Sequence, residues 1–306
     1  MKNKLYRNKN LLLRYLISII SISVFVYCDC TNNYESHDNN LPKFEGKSFQ
    51  LLICSANVHG FKDPNAKDIF KELDKLKCDN DDIVIFGFQE CYKNPNEVAL
   101  PGYKVYANNF NDNAIFVYQK KDFGITQQAH TLQHFNTTRY VNLLTLSAAN
   151  NLTIANTHLV GGRYDDKLWF NFPDGREKQL KQILTHKPEF ILGDFNADTT
   201  DDIASVYWQG LLQKSVEPNK EANLKAYKTS GHQYLTLNNY TSTFNRDVVC
   251  PTTPFGTVVD WIYYLPAYNS SKVKTITILE QAKIEAINLN LSDHNFIWVR
   301  LQIELT

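Results

Sequence analysis

The feature that most constrains this chain is a set of short apolar runs that each stop on a polar side chain. Ile83-Val84-Ile85-Phe86-Gly87-Phe88 closes on Gln89-Glu90, Glu189-Phe190-Ile191-Leu192-Gly193 closes on Asp194, and the run from Phe49 ends at Asn57 before His59-Gly60. Runs of this length with little polar alternation predict strands buried inside a sheet. Further strands are predicted over 104–107, 114–119, 140–147, 152–159, 258–265, 273–280 and 295–303. Helical spacing covers 66–76, where Ile69, Phe70, Leu73 and Leu76 share a face, and helices are also predicted over 176–184 and 201–212. No internal repeat interrupts the pattern. At 306 residues the chain is long enough for one large core behind an N-terminal segment.

That N-terminal segment reads as a targeting sequence. Lys2, Lys4, Arg7 and Lys9 precede Leu11-Leu12-Leu13, and after Arg14 an apolar stretch runs from Tyr15 to Tyr27. The basic flank and short apolar length predict a signal peptide or N-terminal anchor over residues 1–30, with Val26 and Cys28 placed for a cut before Asp29. A lipid anchor on Cys28 is the alternative, against which stands the bulky Tyr27. Residues 31–47 are polar and Asn-rich, a tether to a domain over 48–306. The expected localisation is therefore secreted or exported, with anchoring through the N-terminal segment as the second option.

Lys plus Arg equal Asp plus Glu at 32 each, so no net basic field announces a nucleic-acid partner and polyanion binding needs a local patch. Beyond Cys28 and Cys30, four cysteines remain at 54, 78, 91 and 250, an even set compatible with bridges but without zinc-ligand spacing. Cys54, inside an apolar strand pattern, also suits a buried free thiol.

Chemistry sits at the strand ends. Asn57, Glu90, His158, Asp194, Asn196, Asp260, Asp293 and His294 each fall at or near one, and loops at strand ends converge on clefts. Singly, each has a plainer explanation: Gly193-Asp194-Phe195-Asn196 as a turn, His158 as a hydrogen-bonded core histidine, Ser292-Asp293 as a turn. Together they supply what hydrolysis of a phosphate ester requires. A cation neutralises the non-bridging oxygens, a base activates an in-line water, and a donor assists the leaving oxygen.

Six blocks then carry a family resemblance. They are Ser55-Ala56-Asn57-Val58-His59-Gly60, Phe88-Gln89-Glu90, Asn156-Thr157-His158-Leu159, Gly193-Asp194-Phe195-Asn196-Ala197-Asp198, Val259-Asp260-Trp261-Ile262 and Ser292-Asp293-His294-Asn295. In order and type they resemble the signatures of the endonuclease/exonuclease/phosphatase superfamily, whose members include deoxyribonuclease I-like nucleases, bacterial sphingomyelinases and inositol polyphosphate 5-phosphatases. The resemblance implies an α/β fold, a four-layer α/β/β/α sandwich of two mixed β-sheets flanked by helices. It implies that Glu90 with Asn57, and Asp293 as a further carboxylate, hold a divalent cation, Mg²⁺ first with Mn²⁺ or Ca²⁺ as alternatives. It further implies that His294 is the base oriented by Asp260, that Asp194 and Asn196 position water and phosphate, and that His158 donates to the charge growing on phosphate.

Substrate choice is the open part of the reading. A nucleic acid substrate would use Arg139 and Arg163, with Lys167 and Arg176 as further contacts. The Thr241-Ser242-Thr243 run resembles the segment before the corresponding Asp in deoxyribonuclease I-like enzymes. A lipid or membrane surface would instead be met by the cluster Trp169, Phe170 and Phe172, which also suits packing under the following helix. Val259-Asp260-Trp261 lacks the Arg usual after the Asp of inositol 5-phosphatases, which turns the expectation away from inositides. The resulting expectation is a secreted, monomeric, metal-dependent phosphodiesterase of the nuclease type. A sphingomyelinase-like or other phosphoesterase is the alternative, and a non-catalytic binding protein on the same scaffold the third.

Overall fold

The computed structural model describes residues 41–60, 66–91, 101–107, 112–134, 137–161, 172–214 and 218–306. The expected signal segment and most of the tether lie outside them. The first packed side chain is Phe44, which is buried and stacks on Phe123 with ring centroids 4.5 Å apart.

Among the described residues, twelve strands form two mixed six-stranded sheets. The first contains β1 (Ser48–Asn57), β2 (Ile83–Gln89), β3 (Lys104–Ala107), β4 (Asn113–Gln119), β11 (Val273–Ile284) and β12 (Phe296–Leu305), in the order β11-β12-β1-β2-β4-β3. The second contains β5 (Ile125–His134), β6 (Thr137–Leu146), β7 (Leu152–His158), β8 (Phe190–Asp194), β9 (Thr241–Ser242) and β10 (Asp260–Tyr264), in the order β5-β6-β7-β8-β10-β9. Each sheet has one parallel pair at its centre, β1 with β2 and β7 with β8, and antiparallel pairs elsewhere. With helices α1 (Ala66–Asp74), α2 (Phe172–Leu184), α3 (Val206–Lys214), α4 (Lys220–Leu237) and the single turn α5 (Arg246–Val249), this is the expected α/β sandwich.

The apolar runs are continuous because the central strands are covered on both faces. All seven residues of β2 and all five of β8 are buried. Leu51, Ile53, Ile83, Ile85, Val299 and Leu301 join Ile154, Leu192 and Trp261 of the second sheet in one core. Leu52, Val84, Phe86 and Phe88 turn the other way, onto Ile69, Phe70 and Leu73 of α1.

At one edge the sheets are also tied by polar groups. Asn156, fully buried, donates to the carbonyls of Phe88 (3.0 Å) and Ala114 (3.1 Å) and accepts from Gln89 Nε2 (2.7 Å). Gly87 permits this approach: a Cβ there would lie 2.5 Å from Leu192 Cδ1 and 2.8 Å from Asn156 Oδ1. A satisfied buried amide of this kind fixes how one sheet sits on the other far more narrowly than apolar packing does. Asn113 and Asn142 add a second tie nearby, Nδ2 of each reaching a carbonyl of the other sheet, Tyr140 and Asn113 respectively.

The differences from the sequence reading have local causes. The helix expected over 201–212 begins only at Val206, because Asp198, Thr200 and Asp202 accept from the backbone amides of Thr199, Asp202 and Ala204 in successive tight turns. The 18-residue α4 escapes a periodicity search because its buried residues include Lys228, Thr229, Ser230 and Gly231. The edge strand β5 escapes it because ITQQAHTLQH carries little apolar alternation. Cys54, Cys78, Cys91 and Cys250 are all free thiols, the first and third buried. Among the described residues no helix is long and apolar enough to cross a membrane.

Candidate active site

Strand direction gathers the site. β1 and β2 run parallel, as do β7 and β8, so Asn57, Glu90, His158 and Asp194 all lie at carboxyl ends. β10 and β12 run antiparallel to these neighbours, so their amino ends arrive at the same edge: Asp260 pairs with Asp194, and His294 stands just before β12. Glu90 (φ 57°) and Asn196 (φ 51°) occupy the left-handed backbone region, uncommon for such residues and typical of sites where geometry is over-determined.

Asp194 is the hub. One oxygen, Oδ1, accepts from the backbone amide of Asn196 at 2.8 Å. The other, Oδ2, faces Asn57 Nδ2 at 3.1 Å, His158 Nε2 at 3.6 Å and His294 Nε2 at 4.0 Å. Asn57 Nδ2 also donates to Glu90 Oε1 at 3.2 Å, while its Oδ1 accepts from the His59 amide at 3.1 Å. The sequence reading has Asn57 supporting Glu90 at the ion; here it offers the carboxylates a donor, aligning them rather than adding an oxygen. Asn196 Nδ2 is spent on the carbonyl of Leu159 (3.0 Å).

Asp260 and His294 form a dyad, Oδ2 to Nδ1 at 2.8 Å, with Asp260 fully buried. The Asp260 amide reaches Thr252 Oγ1 at 3.4 Å, and its Oδ1 has no partner. Burial opposes charge on His294, but the bonded Asp260 carboxylate, with Asp194 and Asp293 behind it, wins and raises the imidazole to about 10. Burial raises Asp260 as well, more than the His294 charge lowers it. Without a cation, His294 is thus expected to stay protonated through neutral pH. Its folded value exceeds the unfolded ~6.5, so the stability it contributes is complete below that pH and is lost as pH climbs toward 10. An NMR titration in chelator checks this; an imidazole titrating near 6.5 would contradict it.

Sequence reasoning missed two groups. Asp112, just before β4, sets Oδ1 3.7 Å from His158 Nδ1 and 3.4 Å from Arg139 Nη1. Burial opposes its charge, but the hydrogen bonds and charges of His158 and Arg139 prevail and lower its pKa. The other is His59, whose Nδ1 lies 3.4 Å from Glu90 Oε2 and 3.5 Å from Asp293 Oδ2. Asp112 lacked any signal beyond a polar residue ahead of a strand, whereas His59 stood in a quoted block.

Arg139 is brought to the cleft, its Nη1 3.2 Å from His158 Nδ1. Arg163, Lys167, Trp169 and Phe170 lie outside the described residues, as does the side chain of Phe172, with which α2 begins. Arg176 does not reach the cleft: it is fully buried, donating to the carbonyls of Val160 and Tyr227. Thr243 is buried too, its hydroxyl spent on the Ile262 carbonyl.

A hard divalent cation fits this donor set. Ligand atoms of Glu90, His158 and Asp194 lie within 4.8 Å of one another, as do those of Asp194, Asp260 and His294. Two carboxylates held close by a single amide suit oxygen-seeking ions.

No family model and no curated protein matches the sequence. Solved structures do match in shape. The inositol polyphosphate 5-phosphatase domain of SPsynaptojanin, in complex with inositol (1,4)-bisphosphate and calcium ion, aligns with a TM-score of 0.53 at 16% identity over 85% of this chain and 86% of that one. D. rerio TDP2 complexed with a single strand DNA product gives 0.50 at 16% identity over 82% and 98%. A Cimex nitrophorin mutant, solved as a ferrous NO complex, gives 0.51 at 12% identity over 85% and 100%. Its presence among the neighbours means that activity must be argued from the site. The chain shares the fold of these solved structures, two mixed six-stranded sheets with flanking helices, which is the deoxyribonuclease I-like sandwich.

Proposed function

We propose that this chain is a divalent-metal-dependent phosphodiesterase acting on nucleic acid. The observation that carries the reading is the Asp260–His294 dyad opening onto the carboxylate that also faces His158 and, through Asn57, Glu90. A non-catalytic binding protein has no use for a buried carboxylate spent on orienting an imidazole whose other nitrogen faces a cleft.

Each residue has a task in in-line hydrolysis. Asp260 holds His294 through Nδ1, leaving Nε2 to take a proton from the attacking water. Asp194 Oδ2, 4.0 Å from that nitrogen, aligns the water by accepting a hydrogen bond from its remaining O–H. His158, with Arg139 and Asp112 on its Nδ1 side, presents Nε2 toward Glu90 and Asp194, where it stabilises the charge growing on phosphate. Glu90 and Asp194 would hold the cation, which when bound would supply Lewis-acid neutralisation of the phosphate oxygens. A positive charge beside Asp194 would oppose protonation of His294 and so favour its role as base. Mg²⁺ suits the oxygen donors, and the chain carries out the chemistry without a covalent intermediate.

The preference for nucleic acid draws on Arg139 at the cleft and on the DNA-bound TDP2 neighbour. The inositol phosphate on the synaptojanin domain keeps a smaller phosphoester as the second reading. A panel of plasmid DNA, RNA, sphingomyelin, phosphoinositides and a bis-aryl phosphodiester, each with Mg²⁺ and with chelator, separates them. Nicking of plasmid that needs Mg²⁺ is the expected result; turnover of lipid without nicking overturns it. We also propose export through the N-terminal segment, expected to leave a mature chain starting near Asp29 when the secreted product is sequenced.

A further inference from the structure

We infer that Thr252 is the positioning residue of the Asp260–His294 dyad, a buried threonine that fixes both partners through their backbones without touching substrate. The inference rests on the reading of that dyad as the base of a phosphodiesterase and deepens it.

Three observations carry it. First, one oxygen holds the Asp260 side. Thr252 is fully buried, and its Oγ1 accepts from the amides of Val259 at 3.0 Å and of Asp260 at 3.4 Å. The neighbouring strand β9 pairs only with Tyr263 and Tyr264, so it ends before the start of β10. Thr252 supplies there the acceptor that a longer strand would have offered, and buried amides require one.

Second, the same residue holds the His294 side. Its carbonyl accepts from the amide of Asn295 at 2.8 Å, and Asn295 Nδ2 donates in return to the carbonyl of Pro251 at 3.0 Å. Asp260 opens β10 in one sheet and His294 precedes β12 in the other, so no ladder of hydrogen bonds sets the distance between them. Thr252 is bonded to the chain at both places, 34 positions apart, where the two side chains meet at 2.8 Å.

Third, Thr252 is itself held. Its amide donates to the Thr257 carbonyl at 2.9 Å, the hydroxyls of Thr253 and Thr257 meet at 2.6 Å, and the Val258 amide donates to Asp198 Oδ2 at 3.2 Å. The loop closes on itself before it reaches the dyad. Support of this kind keeps a catalytic imidazole in its productive orientation.

The test combines steady-state kinetics on the full chain, with the phosphodiester that wild type turns over, and proton NMR in chelator. The Nδ1–H proton that His294 shares with Asp260 is followed as a downfield resonance, assigned by its absence from His294→Ala. Thr252→Val keeps the shape and removes the oxygen. It is expected to lower kcat on the order of 10²-fold while KM changes by less than ~3-fold, and to shift or broaden the resonance. Thr252→Ser returns the oxygen and is expected to restore both. Thr252→Ala leaves room for a water to satisfy the two amides, so it retains the fold should the valine variant lose it, and a loss of about tenfold is expected. Thr243→Val removes a buried hydroxyl from the Ile262 carbonyl of the same strand and is expected to keep kcat and the resonance. A folded T252V or T252A with wild-type kcat and an unmoved resonance overturns the inference, as does a T243V that loses as much as they do. If wild type hydrolyses no ester in the panel while the resonance moves in T252V and T252A and returns in T252S, the phosphodiesterase reading fails and the placement of the dyad by Thr252 stands.

Discussion

Replacing His294 with alanine is expected to lower phosphodiester turnover by on the order of 10²- to 10⁴-fold with little change in KM, the range over which a positioned acid or base contributes. The argument starts from the dyad. Asp260 is fully buried, keeps one oxygen unpartnered and spends the other on His294 at 2.8 Å. That arrangement sets the tautomer, so the free nitrogen at the cleft is always Nε2. No other described imidazole replaces it: His158 Nδ1 is engaged by Arg139 and its Nε2 lies toward Glu90 and Asp194. The alanine variant leaves Asp260 buried without its counter-charge, and the carboxyl is then expected to take up a proton rather than remain ionised. Circular dichroism and a denaturation midpoint therefore accompany the kinetics. Asp260→Asn separates the roles, since it keeps a hydrogen-bonding side chain at that place but removes the charge that favours the imidazolium. A folded H294A retaining more than about a tenth of wild-type turnover removes His294 from the mechanism.

What was legible in the sequence follows from what each residue does locally. Strands β2 and β8 could be read because a strand buried on both faces has no polar alternation to confuse, and each apolar run stops on a carboxylate, half-buried Glu90 and buried Asp194. Asp194 and Asp260 could be paired in expectation because motif blocks carry them, and the register places them opposite one another. The Asp112–Arg139–His158 contacts had no such mark. They depend on β4 and β6, on different sheets, delivering their ends to one edge, and the Asn113 and Asn142 ties that fix this are ordinary asparagines in sequence. Helix α4 was hidden for a related reason: Lys228 is buried because its ammonium lies 3.6 Å from the buried Asp198 carboxylate, which Arg246 also grips at 2.9 Å. A polar face stabilised by distant partners leaves no periodicity. Arg176 fails in the opposite direction, a cation near motif residues that serves the backbone of Val160 and Tyr227 instead of substrate.

Gly193→Ala is expected to be the most damaging single methyl group in the domain. Gly193 sits inside β8 with φ 147°, in a region that side-chain-bearing residues rarely adopt. A Cβ placed there lies 1.8 Å from the carbonyl oxygen of Thr157, a backbone atom that no rotamer change can move. Thr157 is its partner in β7, and on the other side Gly193 pairs with Trp261 of β10, so the strand is held from both flanks. Relief requires β7 and β8 to separate, and the next residues along each strand are His158 and Asp194. Overpacking of a close-packed interior costs about 1–3 kcal/mol and a non-glycine residue forced into a rare backbone region about 1–3 kcal/mol more. Together these approach half the stability of an ordinary domain, ~5–15 kcal/mol. The variant is expected to be largely insoluble or to unfold at a much lower denaturant concentration, and any folded fraction to bind divalent cations weakly because Asp194 has shifted. Urea denaturation followed by tryptophan fluorescence, with Trp261 buried beside the site, measures the first effect, and calorimetry of the soluble fraction the second. An unfolding free energy within about 1 kcal/mol of wild type would mean that the β7–β8 pairing is more pliable than this backbone contact allows. The catalytic edge would then owe its geometry to the cross-sheet asparagines alone.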